Sequence, residues 1–351
     1  MSTDLAANAA PAPPDASTAF EHKRTGLARV QHLLHRYPII SPLVVLLVSV
    51  IAFIIFGKGR FQQPASIGTM LQATAVMATL AIGQTLIVLT AGVDLAVGTA
   101  MLLSHLIVAK LVAENGAPPI VALFAGIVAG ILMGYFHGTL VSRIGLPPFI
   151  VTLGTFYMYQ SIGLVYSNAQ TFDGDKFGGD RGLLLFAGRE ISIGQFTITV
   201  GVLIALLLYA IFSYILSNTA WGVHVYATGD DAEAARLAGV DTRKVLLSVY
   251  VVAGLIYGIG AWVQLGRAGS ASINGADDVN LASITAVVIG GTSLFGGRGR
   301  LWGTFIGALI VATFDRGLSL ADVNQYYKNF AIGLLILVAV GLDQWIRRVA
   351  K

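Results

Sequence analysis

Long apolar runs alternate along this chain with short polar breaks. A membrane helix needs roughly 20 mostly apolar residues to cross the hydrocarbon. Such runs fall near 38–57, 67–90, 95–113, 118–141, 147–166, 197–216, 245–264, 281–297, 301–320 and 329–346. They predict an all-α fold, a polytopic membrane helix bundle of about ten transmembrane helices. The second and third runs are separated only by Gly92-Val93-Asp94, and the eighth and ninth only by a Gly/Arg stretch, so either pair can be broken or re-entrant. Two breaks are long and polar, at about 167–195 and about 218–244. The transmembrane domain is thus 38–346. Residues 1–37, rich in Ala, Pro and Ser and then basic, form a disordered cytoplasmic segment, and 347–351 form a cytoplasmic tail.

Composition agrees. Hydrophobic residues make up 56% of the 351, charged residues only 11%, and mean hydropathy is +0.77. Soluble domains carry about a quarter charged residues, so lipid is the solvent this chain suits. The net charge of +4 comes from Lys and Arg placed mostly at the ends of apolar runs, where a membrane interface favours them. They form no nucleic-acid patch. With no cysteine, thiol-ligated metal and disulfides are excluded.

Lys and Arg placement also sets orientation. With ten spans and an inside N-terminus, Lys23, Arg24, Arg29, Arg36, Arg143, Arg236, Arg243, Lys244, Arg298, Arg300, Arg347, Arg348 and Lys351 lie inside. Lys58 and Arg60 sit on the opposing side. The 167–195 loop is then extracytoplasmic and the 218–244 loop cytoplasmic. Gly126, Gly130, Gly134 and Gly138 recur every four residues, and Gly254 with Gly258 and Gly303 with Gly307 repeat the spacing. Small residues in that register let helix backbones approach closely in lipid.

The cytoplasmic loop holds a predicted short helix of about eight residues. Asp230 is its expected N-cap, and Glu233 the capping-box partner. Ala232, Ala234, Ala235 and Ala238 favour helix, Leu237 adds an apolar contact, and Gly239 supplies a left-handed C-terminal residue. A helix this short is marginal in water, so it needs a surface. That surface is either its own bundle or a partner.

Several strings carry a resemblance. Glu233-Ala234-Ala235-x-x-x-Gly239 resembles the EAA loop of ABC importer permeases, within a wider string from Tyr226 to Val240 similar to the ribose-type sugar permeases. Gly92-Val93-Asp94-Leu95-Ala96-Val97-Gly98 is similar to a Gly-Ile-Asp-Leu-Ser-Val-Gly motif of that family, with two conservative departures. A second Gly-rich signature runs through Gly290, Gly291, Gly296, Gly297, Gly299, Gly303 and Gly307, and Pro148 to Thr155 also fits. The resemblance implies that the loop forms a coupling helix (Asp230, Glu233, Ala234, Ala235, Leu237, Gly239). That helix docks on an ABC ATP-binding subunit, which uses ATP and Mg2+. It further implies a second permease copy, an extracytoplasmic sugar-binding protein and a monosaccharide substrate such as ribose, xylose, fructose or galactose.

Within the spans, Asp94 is an acid without an adjacent base in sequence. It reads as a cap at a hinge between Gly92 and Gly98, or else as a substrate or ion contact. His105 and His137 lack spaced partners and read as packing residues, and no His/Asp/Glu cluster has metal-ligand spacing. Gln72, Thr79, Gln84 and Thr90, with Thr85, suggest a neutral polar strip on one span, and Tyr157, Tyr159 and Gln160 are candidates to face it. Threonines in a helix also bond their own backbone. No phosphate-binding loop, nucleophile elbow or Ser-x-x-Lys is present, so no catalytic residue and no resident cofactor is expected. The reading is the permease subunit of a monosaccharide ABC importer, the alternative an ion-coupled secondary transporter.

Overall fold

The computed structural model describes residues 39–57, 59–177, 182–274, 276–324, 326–328, 330–334, 337–338 and 341. The predicted segments 1–37 and 347–351 lie outside these. So does much of the tenth apolar run, of which 330–334, 337–338 and 341 are described and all but 337–338 and 341 form an unbroken helical stretch.

The other nine runs each contain a helix. They are α1 (Ile40–Phe56), α2 (Pro64–Leu89), α3 (Val97–Ala113), α4 (Pro119–Thr139), α5 (Pro148–Ser167), α6 (Val200–Asn218), α9 (Thr242–Ala268), α10 (Ala276–Ile289) and α11 (Leu301–Leu320), with α7 (Ala220–Asp230) and α8 (Ala232–Leu237) between α6 and α9. Among the described residues, six helices are long and apolar enough to cross a membrane: α2, α4 with its π-helical extension to Ile144, α5, α6, α9 and α11. The shorter α1, α3 and α10 fall below that length.

Two expectations are corrected. The run at 281–297 does not continue as helix to its end. α10 stops at Ile289, and a loop follows in which Gly291, Gly296, Gly297 and Gly299 have positive φ, a region a continuing helix cannot use. The 218–244 segment is not mainly loop. Thr219 accepts a hydrogen bond from the Gly222 N–H at 3.3 Å and caps α7.

The molecule is polar-tolerant inside and apolar outside. Every residue of α2 from Thr74 to Leu89 is buried, which places this helix at the centre. The hydroxyls of Thr74, Thr79 and Thr85 return to the carbonyls four residues back, so they enter the core with their donors satisfied. Large apolar side chains cover the outer faces, among them Val165, Ile55 and Phe124. An apolar exterior of this extent is what lipid, not water, solvates.

The glycine register of α4 does what its spacing predicts. Gly130 and Gly134 lie directly against Gly254 and Tyr250 of α9, and a Cβ on Gly134 would sit 2.2 Å from the Tyr250 carbonyl oxygen. Gly154 on α5 has open space around it. Gly134→Ala is therefore expected to destabilise by about 1–3 kcal/mol through overpacking. Gly154→Ala should be neutral or gain up to about 1 kcal/mol of helix propensity. Thermal melts of the two purified variants in one detergent check the contrast.

One end of the bundle carries short strands. β1 (Phe172–Asp173) pairs antiparallel with β4 (Ser270–Ala271), and β2 (Glu190–Ile193) with β3 (Phe196–Thr199). This sheet end grips the last two turns of α9. The Trp262 indole N–H donates to the Leu183 carbonyl at 3.0 Å, its ring stacks on Phe186, and Gly266 meets Gly188 backbone to backbone. The opposite end carries α7, α8 and the Gly-rich loop.

Candidate functional site

The end of α2, the 218–244 segment and the Gly-rich loop meet at the α7–α8 end. α2 finishes at Leu89, and the Leu89 carbonyl accepts a hydrogen bond from the Gly297 N–H at 2.9 Å. Gly296 and Gly297 adopt φ of +84° and +66°, and this left-handed turn is what aims that N–H at α2. Gly229 of α7 lies over the same carbonyl, where a Cβ would come within 1.7 Å of the oxygen. The Tyr226 hydroxyl donates to the Gly299 carbonyl at 2.9 Å. Leu89, Gly229 and Gly297 thus form one joint, although more than a hundred residues separate α2 from α7. Beyond the loop, Gly290 and Gly303 touch backbone to backbone and close α10 onto α11.

The short helix α8 protrudes next to this joint. Its N-cap is Asp231, not the expected Asp230. Asp230 ends α7, whereas Asp231 has the extended backbone a cap requires (φ −154°, ψ 103°). Its carboxylate accepts from the N–H groups of Glu233 and Ala234, both at 2.9 Å. Glu233 does not reach back to the cap but pairs with Arg236 at 3.2 Å. The helix has six residues instead of about eight, and Gly239 closes it with φ of +90°. Ala235 alone of α8 is buried; Ala234 is exposed, and Leu237 is 81% exposed. At the start of α9, Asp241 accepts from the Lys244 side chain and N–H, and those bonds hold its carboxyl below the usual carboxylate range.

Asp94 sits deeper, fully buried in the irregular stretch between α2 and α3. One oxygen accepts from the Ala96 N–H at 2.7 Å, and the other accepts from the Tyr257 hydroxyl at 3.0 Å. His137 of α4 brings its Nδ1 to 4.0 Å of the second oxygen, supplying the base that no neighbour in sequence provides. The His137 Nε2 lies 2.7 Å from the Thr155 hydroxyl of α5, and the ring stacks on Tyr159. The expected cap is therefore partial. Asp94 holds the Ala96 N–H, at the residue preceding α3, while the Gly98 N–H inside the first turn is met by the Asn280 side chain of α10. The Asp94 cluster ties the α2–α3 break to α4, α5 and α9 at once. Gly92 packs there on Ile87 and Tyr250. His105 is buried within α3.

The polar strip is not gathered into one path. The hydroxyls of Thr79 and Thr90 bond backbone carbonyls of their own helix or its end. Gln84 is fully buried, and among the described residues its amide has no hydrogen-bond partner. Gln72 and Gln160 are half-buried. Tyr157 faces outward at 62% exposure, beside Phe156. Among the described residues no group of three His, Asp or Glu could hold a metal.

Residues 66–340 match the family described as the branched-chain amino acid transport system / permease component. The fructose import permease protein of Rhizobium meliloti is 43% identical over 96% of this chain and 93% of its own length. The ribose import permease protein of Bacillus subtilis is 34% identical over 81% of this chain and 86% of its own. The D-allose transport system permease protein of Escherichia coli is 33% identical over 78% and 82%. No solved structure matches.

Proposed function

The chain belongs to this permease family, and on that premise we propose that it is the membrane subunit of an ATP-driven importer carrying a monosaccharide, a pentose or hexose such as fructose or ribose. The 43% identity to a fructose permease across nearly the whole chain carries this reading. The sugar-specific names of the relatives favour a sugar over the amino acids in the family description. The interior suits it, because its polar groups are mainly hydroxyls and amides.

The α7–α8 end is assigned to the cytoplasm, where Arg143, Arg236, Arg243, Lys244, Arg298 and Arg300 satisfy the inside bias of basic residues. α8 is the coupling helix that docks on an ABC ATP-binding subunit. ATP and Mg2+ are used there, not by this chain. A second permease copy completes the membrane part, and a sugar-binding protein docks at the sheet end. Closure of the ATPase displaces α8 and α7. The Gly229–Leu89–Gly297 joint passes that movement to α2 and α11, and the bundle alternates between outward and inward access.

Reconstitution tests this. Proteoliposomes holding the permease, its ATPase and its binding protein are expected to take up labelled fructose or ribose only with internal-facing ATP. Uptake should persist when ion gradients are collapsed by ionophores. Uptake that needs no ATPase and vanishes with the gradient, or a preference for leucine over sugars, would overturn the assignment.

A further inference from the structure

A cavity of about 900 Å³ opens at the α7–α8 end between α6, α7, the Gly-rich loop and the first turn of α11. This lies within the range of small-molecule sites, about 300–1,000 Å³. Arg298, Arg300, Ser213, Ser217 and Trp302 line it, with Asp230 as the one carboxylate on its wall. Neither guanidinium has an ion-pair partner among the described residues. Asp230 offsets one of the two positive charges, so the wall keeps a net positive charge beside two hydroxyls.

The cavity sits where the candidate spans α6 and α11 end and begin, and Trp302 lies in the first turn of α11, the kind of position that suits an interfacial aromatic. From Ser217 an apolar stripe runs along α6 through Tyr214, Ile211 and Leu207 at helical spacing, all exposed. A basic, hydroxyl-bearing mouth joined to an exposed apolar stripe is complementary to an amphiphile with an anionic head. The stripe belongs to the lipid-facing exterior, so a phospholipid of the surrounding bilayer can reach the mouth with its head while its chain stays in the apolar layer. We infer that this cavity binds the headgroup of an anionic phospholipid, with an acyl chain lying along α6.

The test uses the full chain in nanodiscs of equal phosphatidylglycerol and phosphatidylcholine, followed by native mass spectrometry of the released protein. Wild type is expected to retain phosphatidylglycerol more than tenfold over phosphatidylcholine. Basic residues near a membrane surface each contribute about fivefold to anionic-lipid binding. Arg298→Gln with Arg300→Gln should therefore bring the ratio close to one. The corresponding double Lys variant should keep the preference, and Arg143→Gln, away from the cavity, should leave it unchanged. Brominated phosphatidylglycerol should quench the tryptophan fluorescence of wild type more than that of Trp302→Phe. Equal retention of the two lipids by wild type would overturn the inference, as would a preference that survives the double Gln variant. Displacement of the lipid by millimolar glycerol phosphate would assign the site to a soluble anion instead. Loss of ATPase co-purification in the double Gln variant with lipid preference intact would assign the arginines to the partner protein.

Discussion

Leu237→Lys is expected to lower both ATPase co-purification and ATP-driven uptake by more than tenfold while the permease melts at its wild-type temperature. Leu237 contributes almost nothing to the fold, since 81% of it is exposed at the tip of α8. Burying a leucine in a partner cleft gains about 1.5–3 kcal/mol, and a lysine forced into that cleft forfeits the gain and adds an unpaired charge. A factor of ten corresponds to only about 1.4 kcal/mol, so the change exceeds it. α8 itself survives the substitution, because its cap rests on Asp231 and its stop on Gly239. Pull-down of the ATPase, sugar uptake and a thermal melt on one preparation decide the matter. A normal pull-down would remove α8 as the docking element.

Asp94→Ala is expected to abolish uptake and to lower thermal stability, whereas Asp94→Asn retains most of both. Alanine leaves the Ala96 N–H and the Tyr257 hydroxyl buried without an acceptor. Each such loss costs about 1–3 kcal/mol, and together they remove a large share of a stability of about 5–15 kcal/mol. Asparagine keeps one acceptor oxygen of nearly the same position. Uptake and melting temperature measured for both variants separate positioning from charge. If Asp94→Asn melts normally yet transports nothing, the negative charge itself is required, and the positioning role is wrong.

Much of the bundle is visible in the sequence because lipid imposes one simple rule, a run of apolar residues of fixed length. The starts of α2, α4, α5 and α11 fall within about three residues of the expected positions, a precision sequence reading ordinarily has at boundaries. Errors arise where a local signal competes with that rule. The run at 281–297 stays apolar through Leu294 and Phe295, but the backbone has already turned at Gly290–Gly291. α7 was hidden by Gly222, Val223, Val225, Thr228 and Gly229, all poor helix formers. Its one sequence mark is the capping Thr219. Two adjacent aspartates, Asp230 and Asp231, both suit a cap, and only the backbone decides between them. The Asp94 cluster had no legible signal, since His137 lies 43 residues away and Tyr257 163 residues away. The glycines of the joint were legible as motifs. That they meet on one carbonyl was not.

Helix α9 reaches from the α8 end of the protein to the sheet end. α9 is 27 residues long, about 40 Å at 1.5 Å per residue. Its N-terminal part abuts α8, and its last two turns are held by Trp262, Gly266 and the β1–β4 pair. A single strut of this kind gives the two surfaces a continuous physical connection. Suppose that ATPase docking at α8, acting through this strut, changes the affinity of a partner at the sheet end by a given factor. By reciprocity, that outer partner must then change ATPase affinity by the same factor.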